Sequence, residues 1–217
     1  MEIDRPGCMN SFVDQGSVES HRYFLARRTV LEMLRDRGYS VPAEEINLTL
    51  DGFRSDYGES PNLKRLSLSY SLPSPPYNKV HVIFCGTEPV KLAVIREIYM
   101  QVGKENLYGL ILVLQSKMTS KAREAIKDIF KFKVETFHIT ELLVNITKHV
   151  LKPRHDVLTE EEKQKLLKKY NVEDSQLPRM LETDAVARYY GLQKGQVVKV
   201  TYDGELTRSH VTYRCIM

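Results

Sequence analysis

The chain is 217 residues long, 42% hydrophobic and 28% charged, with a formal net charge of +4. That balance excludes an extended disordered chain, a collagen-like repeat and a strongly basic nucleic-acid module, and it leaves length for one ordinary domain or two small ones. The longest apolar run, Tyr108 to Leu114, is far short of the roughly 20 residues that span a bilayer. Glu2 and Asp4 stand where a signal peptide would be basic and then apolar, so no membrane partner is expected. Cys8, Cys85 and Cys215 include no pair at CxxC spacing, which excludes a disulfide framework and a cysteine zinc site and fits a reducing compartment.

Residues 1–20 combine Pro6, Gly7, Gly16 and several serines without a sustained apolar period, and are expected to form a mobile arm. From His21, the helical spacing of Tyr23, Phe24, Val30, Leu31 and Leu34 predicts a first helix that stops at Gly38. A second is predicted from Pro42 through Ile46, Leu50 and Phe53 to Gly58. Leu66, Leu68, Tyr70 and Leu72 alternate with serines as a half-exposed strand does, and a return strand follows at Val80 to Cys85. Then come a helix from Pro89 through Val102, a strand at Leu110 to Leu114, a helix around Ala122 to Ile129 and a strand at Val134 to Phe137. Alternating strands and helices imply a partly parallel sheet, and the unbroken apolar run Leu110 to Leu114 places its strand at mid-sheet.

After Glu141 the pattern changes. Thr159 and Glu162 form a capping box for a helix through Leu166 and Tyr170, and Asp184 caps a short helix that stops at Gly191. Two closing strands are predicted at Gln196 to Tyr202 and His210 to Cys215. The expected fold class is α/β: a first domain over 21–141 with a helix-covered sheet and a smaller α+β second domain over 142–217.

Candidate chemistry is sparse. No strand carries the acid-x-Lys triplet of a metal-dependent nuclease, the six histidines are scattered, and Gly191 to Gly195 lacks the order of a phosphate loop. No catalytic residue, metal ligand, cofactor or small-molecule substrate is therefore expected. Cys85 reads as a packing residue at a strand end. The one local charge concentration lies between Lys117 and Lys133, where six Lys/Arg face only Glu124 and Asp128. Thr119 and Ser120 sit where a strand turns into a helix, so Lys117, Thr119, Ser120, Lys121 and Arg123 form a candidate phosphate-contacting edge. The plainer reading of this run is a solvated helix face.

A specific signature occupies the last third: Leu142 to His149, Gln176 to Arg179, Asp184 to Gly191, Lys194 to Lys199 and Val211 to Arg214. This string resembles the fifth subunit shared by eukaryotic nuclear RNA polymerases, whose C-terminal part is like a small subunit of the archaeal RNA polymerase. The likeness continues through Met33 to Tyr39 and Leu110 to Gln115.

The resemblance implies a non-catalytic, nuclear subunit with an N-terminal jaw domain of nuclease-like α/β/α topology near downstream duplex DNA. Its assembly domain would dock on the largest polymerase subunit, beside other core subunits. Arg179, Arg188, Tyr189, Lys199, Tyr213 and Arg214 are then candidate assembly residues, while Leu177, Pro178, Val197 and Val198 are open between core and interface. Thr119-Ser120-Lys121-Ala122 stands where the family reads Thr-Pro-Ser-Ala, and Ala185 stands where the family has proline. These departures, with the divergent stretch 202–210, are similar to the variant in plant RNA polymerase V, the polymerase of RNA-directed DNA methylation and gene silencing. A diverged nuclease and a free transcription-factor-binding adaptor are the competing expectations.

Overall fold

The computed structural model describes residues 16–103, 105–204 and 208–217, so residues 1–15 of the expected arm lie outside it. Helix α1 (Val18–Asp36) begins three residues before His21, because the Ser17 side chain accepts hydrogen bonds from the Glu19 and Ser20 amides. It ends where expected, at Gly38 with φ +90°, a conformation that costs glycine little. The expected second helix is two, α2 (Ala43–Ile46) and α3 (Leu50–Tyr57). Thr49 divides them: its hydroxyl caps the Gly52 amide at 3.1 Å, and this local bond competes with helical continuation. Asn62 caps a further short helix, α4 (Leu63–Leu66), which the alternating pattern hid. Leu66 therefore belongs to α4, and strand β1 covers only Leu68–Ser71.

Strands β1, β2 (Lys79–Phe84), β3 (Gly109–Leu114) and β4 (Lys133–His138) form one sheet in sequence order. The first pair is antiparallel and the other two are parallel, linked through α5 (Leu92–Val102) and α6 (Ser120–Ile129). Strand β3 has a neighbour on each side, and Leu110 to Leu114 are all buried, which explains the missing alternation. Leu110, Leu112 and Leu114 pack with Ile95, Ile98 and Val102 of α5 and with Ala122 and Ala125 of α6.

Helix α1 covers the opposite face. Tyr23 meets Phe84 edge-on with ring centroids 6.2 Å apart, and Gln115 donates to its hydroxyl. Burial pushes the Tyr23 hydroxyl up to about 12, so it stays neutral. At the other end of α1, Arg37 lies 2.8 Å from Glu135 on β4, and Lys133 lies 3.0 Å from the other carboxylate oxygen. Burial pushes the Glu135 carboxyl up, but the Arg37 and Lys133 charges outweigh it and hold the group below the usual carboxylate range.

A division at Val144 separates this α/β/α unit from a second, Asn145–Met217. The second sheet has the order β5 (Arg154–Val157), β7 (Val197–Gly204), β8 (Arg208–Ile216), β6 (Arg179–Met180). Strands β5 and β6 were not expected, being short and rich in polar residues. Helix α7 (Glu160–Tyr170) opens on the predicted Thr159–Glu162 capping box, and α8 (Ala185–Tyr190) on Asp184. Leu166 of α7 packs with Val197 and Cys215. On the other face, Ala187 of α8 packs with Val198, Val200 and Ile216. Among the described residues, no helix is long and apolar enough to cross a membrane.

Candidate nucleic-acid and assembly surfaces

The cationic edge sits at the carboxyl ends of β2 and β3, where the chain turns into α6. Thr119 is the cap of α6: its hydroxyl accepts from the Ala122 amide at 3.3 Å. A helix leaves its first amides without intrahelical partners, so those of Ser120 and Lys121 point outward at the positive end of the dipole. Lys117, Thr119, Ser120, Lys121 and Arg123 are all exposed, and the first turn of α6 carries no acid. The five predicted residues are thus brought together.

They do not share one role. Arg123 Nη2 donates to the Met118 carbonyl at 3.2 Å, bending back over the turn. The same turn is fastened to the loop after β2. Met118 and Val90 form a parallel bridge, Thr119 donates its amide to the Val90 carbonyl at 3.2 Å, and Ser116 donates to the Glu88 carbonyl. Arg123 therefore braces a turn that Lys117 and Lys121 extend beyond. Sequence spacing could not reveal this clip, since its two halves lie in different loops.

The assembly candidates divide across the two faces of the second sheet. Cross-strand partners share a face, and Lys199 opposes Tyr213 while Arg179 pairs with Cys215, so Arg179, Lys199 and Tyr213 lie on the α7 side. Tyr213 meets Tyr170 of α7 with centroids 6.5 Å apart. Arg214 opposes Val198 on the α8 side, where α8 itself carries Arg188. Tyr189 is buried, and its hydroxyl accepts from Asn145 Nδ2 at 3.1 Å, so within this chain it is a packing residue. Val197 and Val198 are fully buried and belong to the core, Leu177 is half-buried against it, and Pro178 is exposed.

A cavity of about 420 Å³ opens at the carboxyl end of β2, between Leu63 and Lys64 of α4 and Val94 and Ile98 of α5. Cys85 lines it, but burial pushes its thiol up to about 11, far from a reactive thiolate. Among the described residues, no three His, Cys, Asp or Glu side chains converge as a metal site would require. Glu135, the one carboxylate on the predicted strands of the first unit, is held by two cations.

These two units match two family models: RNA polymerase Rpb5, N-terminal domain, over residues 17–102, and RNA polymerase Rpb5, C-terminal domain, over residues 144–216. The cationic edge lies between the two matched stretches. The chain is 55% identical over 210 residues to DNA-directed RNA polymerase V subunit 5A of Arabidopsis thaliana, covering 96% of this chain and 94% of that protein. It is 53% identical over 205 residues to the Arabidopsis thaliana subunit 5B of RNA polymerases IV and V, with 94% of each chain covered. It is also 38% identical over 206 residues to the RPABC1 subunit of RNA polymerases I, II and III of Caenorhabditis briggsae, with 92% of this chain and 98% of that one covered. The chain belongs to the RNA polymerase Rpb5 family.

Proposed function

We propose that this chain is a structural subunit of a plant nuclear DNA-directed RNA polymerase of the polymerase V type, contributing no catalysis of its own. The observation that carries this reading is the extent of the likeness: one alignment covers 96% of this chain and 94% of a polymerase V subunit. The second unit is the assembly element, docking on the largest subunit, and the first is the jaw beside downstream duplex DNA. Lys117 and Lys121, with the outward amides of Ser120 and Lys121, would meet phosphates without reading bases, since helix-start amides and lysine ammonium groups suit phosphate oxygens at any sequence. Co-purification of the tagged full chain from plant nuclei tests the assignment. The expected result is a fixed stoichiometry with the two largest subunits of polymerase V, and recovery without them refutes it.

A further inference from the structure

Residues 145–153, at the start of the second unit, form a surface segment that opens on a 3-10 turn at Ile146–Lys148 and is ordered by its own polar groups. Asn145 Oδ1 accepts from the Thr147 amide at 2.9 Å and the Thr147 hydroxyl at 2.7 Å, while its side-chain amide donates to the buried Tyr189 hydroxyl. His149 Nδ1 accepts from the Leu151 amide at 3.2 Å, and the His149 carbonyl accepts from the Lys152 amide at 2.9 Å. A loop held in this way has already lost the conformational freedom that binding would otherwise have to remove.

Its crest is apolar. Val150 is 94% and Leu151 84% exposed, the two most exposed large hydrophobic residues among those described. Single exposed aliphatic side chains are ordinary, but an adjacent pair this exposed on a hydrogen-bonded turn is apolar surface that a partner would cover. The flanks have one sign of charge. From 142 to 155 the chain carries Lys148, Lys152 and Arg154 and no carboxylate. Arg154 is engaged with Asp156 at 2.9 Å, and Lys152 lies over the Tyr190 ring at 5.5 Å, which keeps its charge beside the crest.

We propose that the Val150–Leu151 crest is a plug that enters an apolar pocket rimmed by carboxylates on a larger polymerase subunit. This rests on the assembly reading of the second unit and names the side chains that anchor it. The test uses the tagged full chain expressed in plant cells, with the recovered large subunits quantified. The double variant Val150→Asp/Leu151→Asp should lower recovery at least about tenfold, the scale of losing a hot spot, with the thermal midpoint of the purified chain unchanged because both residues lie outside the core. The milder Leu151→Ser variant should reduce recovery in the same direction. Lys148→Glu/Lys152→Glu should lower recovery about threefold or more, through repulsion from the pocket rim.

Wild-type recovery by the double aspartate variant overturns the plug and leaves the assembly reading standing. Wild-type recovery by the lysine variant overturns the carboxylate rim. A wild-type chain that recovers no large subunit removes the assembly reading and the plug with it. Concentration-dependent dimerisation of the pure wild-type chain, abolished by the aspartates, would assign the crest to a second copy and overturn the proposal.

Discussion

The two units differ in how completely each satisfies itself. In the first, β3 is buried on both faces beneath α5 and α6 on one side and α1 on the other, and the buried charge of Glu135 is met inside the unit by Arg37 and Lys133. In the second, the central strands carry Lys199, Tyr213 and Arg214 partly exposed on both faces, and the loop before β5 displays two aliphatic side chains to solvent. The first unit also exposes Val18, Met100 and Tyr108, so the difference lies inside: its central strand is covered on both faces and its buried charge is paired, whereas the central strands of the second carry charged side chains on both faces.

The strongest way to break this contrast is to cut the chain at it. A fragment of 145–217 should be recovered with the large polymerase subunits, while a fragment ending at Val144 should unfold cooperatively yet remain outside the complex. Incorporation of the N-terminal fragment alone would reverse the division of labour. The next effect tests the internal charge balance. Arg37→Ala leaves the buried Glu135 carboxylate with Lys133 alone and should destabilise the first unit by about 2 kcal/mol, read by denaturant unfolding of the full chain.

The same site has a pH signature. The Glu135 pKa is lowered in the folded state, so its contribution is present above the unfolded carboxylate value of about 4.3 and is lost as pH falls through the lower folded value. Glu135→Gln should therefore flatten the acid limb of the stability curve below about pH 4. An unchanged acid limb would show that the pair contributes nothing to folding. In the second unit, Asp184 accepts from the Val186 amide at 2.8 Å and the Ala187 amide at 3.4 Å. Asp184→Ala should cost about 1 kcal/mol, measured by the same denaturant unfolding.

The smallest effects separate contact from bracing at the cationic edge. In the assembled polymerase, Lys121→Ala should reduce the salt slope of downstream-duplex binding by about one unit and leave sequence preference alone. Arg123→Met should weaken binding without changing the slope, and should speed hydrogen exchange at the Thr119 amide. A slope lost in Arg123→Met as well would return Arg123 to the contact set.

Elements with a strong period or a side-chain cap were legible in the sequence. Leu110 to Leu114 gave away a doubly covered strand, Thr159 with Glu162 a helix start, and Asp184 with Gly191 both ends of α8. What escaped depended on competition or on distance. Thr49 divided a helix because its hydroxyl offered a local alternative, and Asn62 did the same to the start of a strand. Strands β5 and β6, of four and two residues, are set by their pairing with β7 and β8 rather than by their own composition. The candidate edge was legible as a cluster, but the role of Arg123 was invisible because the Met118 carbonyl becomes its acceptor only once the turn has formed. Tyr189 sat in a polar signature and is nevertheless core, since one face of α8 turns it toward Asn145.

Strand β8 runs from Arg208 to Ile216 and holds β7 on one side and β6 on the other. A ribosome delivers that strand after every other part of the second sheet, whereas the first sheet has all four strands once His138 has emerged. The first unit can therefore reach its native state before the second, which must wait for β8 to emerge. During that interval β7 presents an unpaired edge, and α7 and α8 lack the Cys215 and Ile216 side chains they pack against. Until β8 pairs, the second unit is thus the part of the chain most exposed to aggregation and proteolysis, and early capture by a chaperone or a partner subunit would protect it most there.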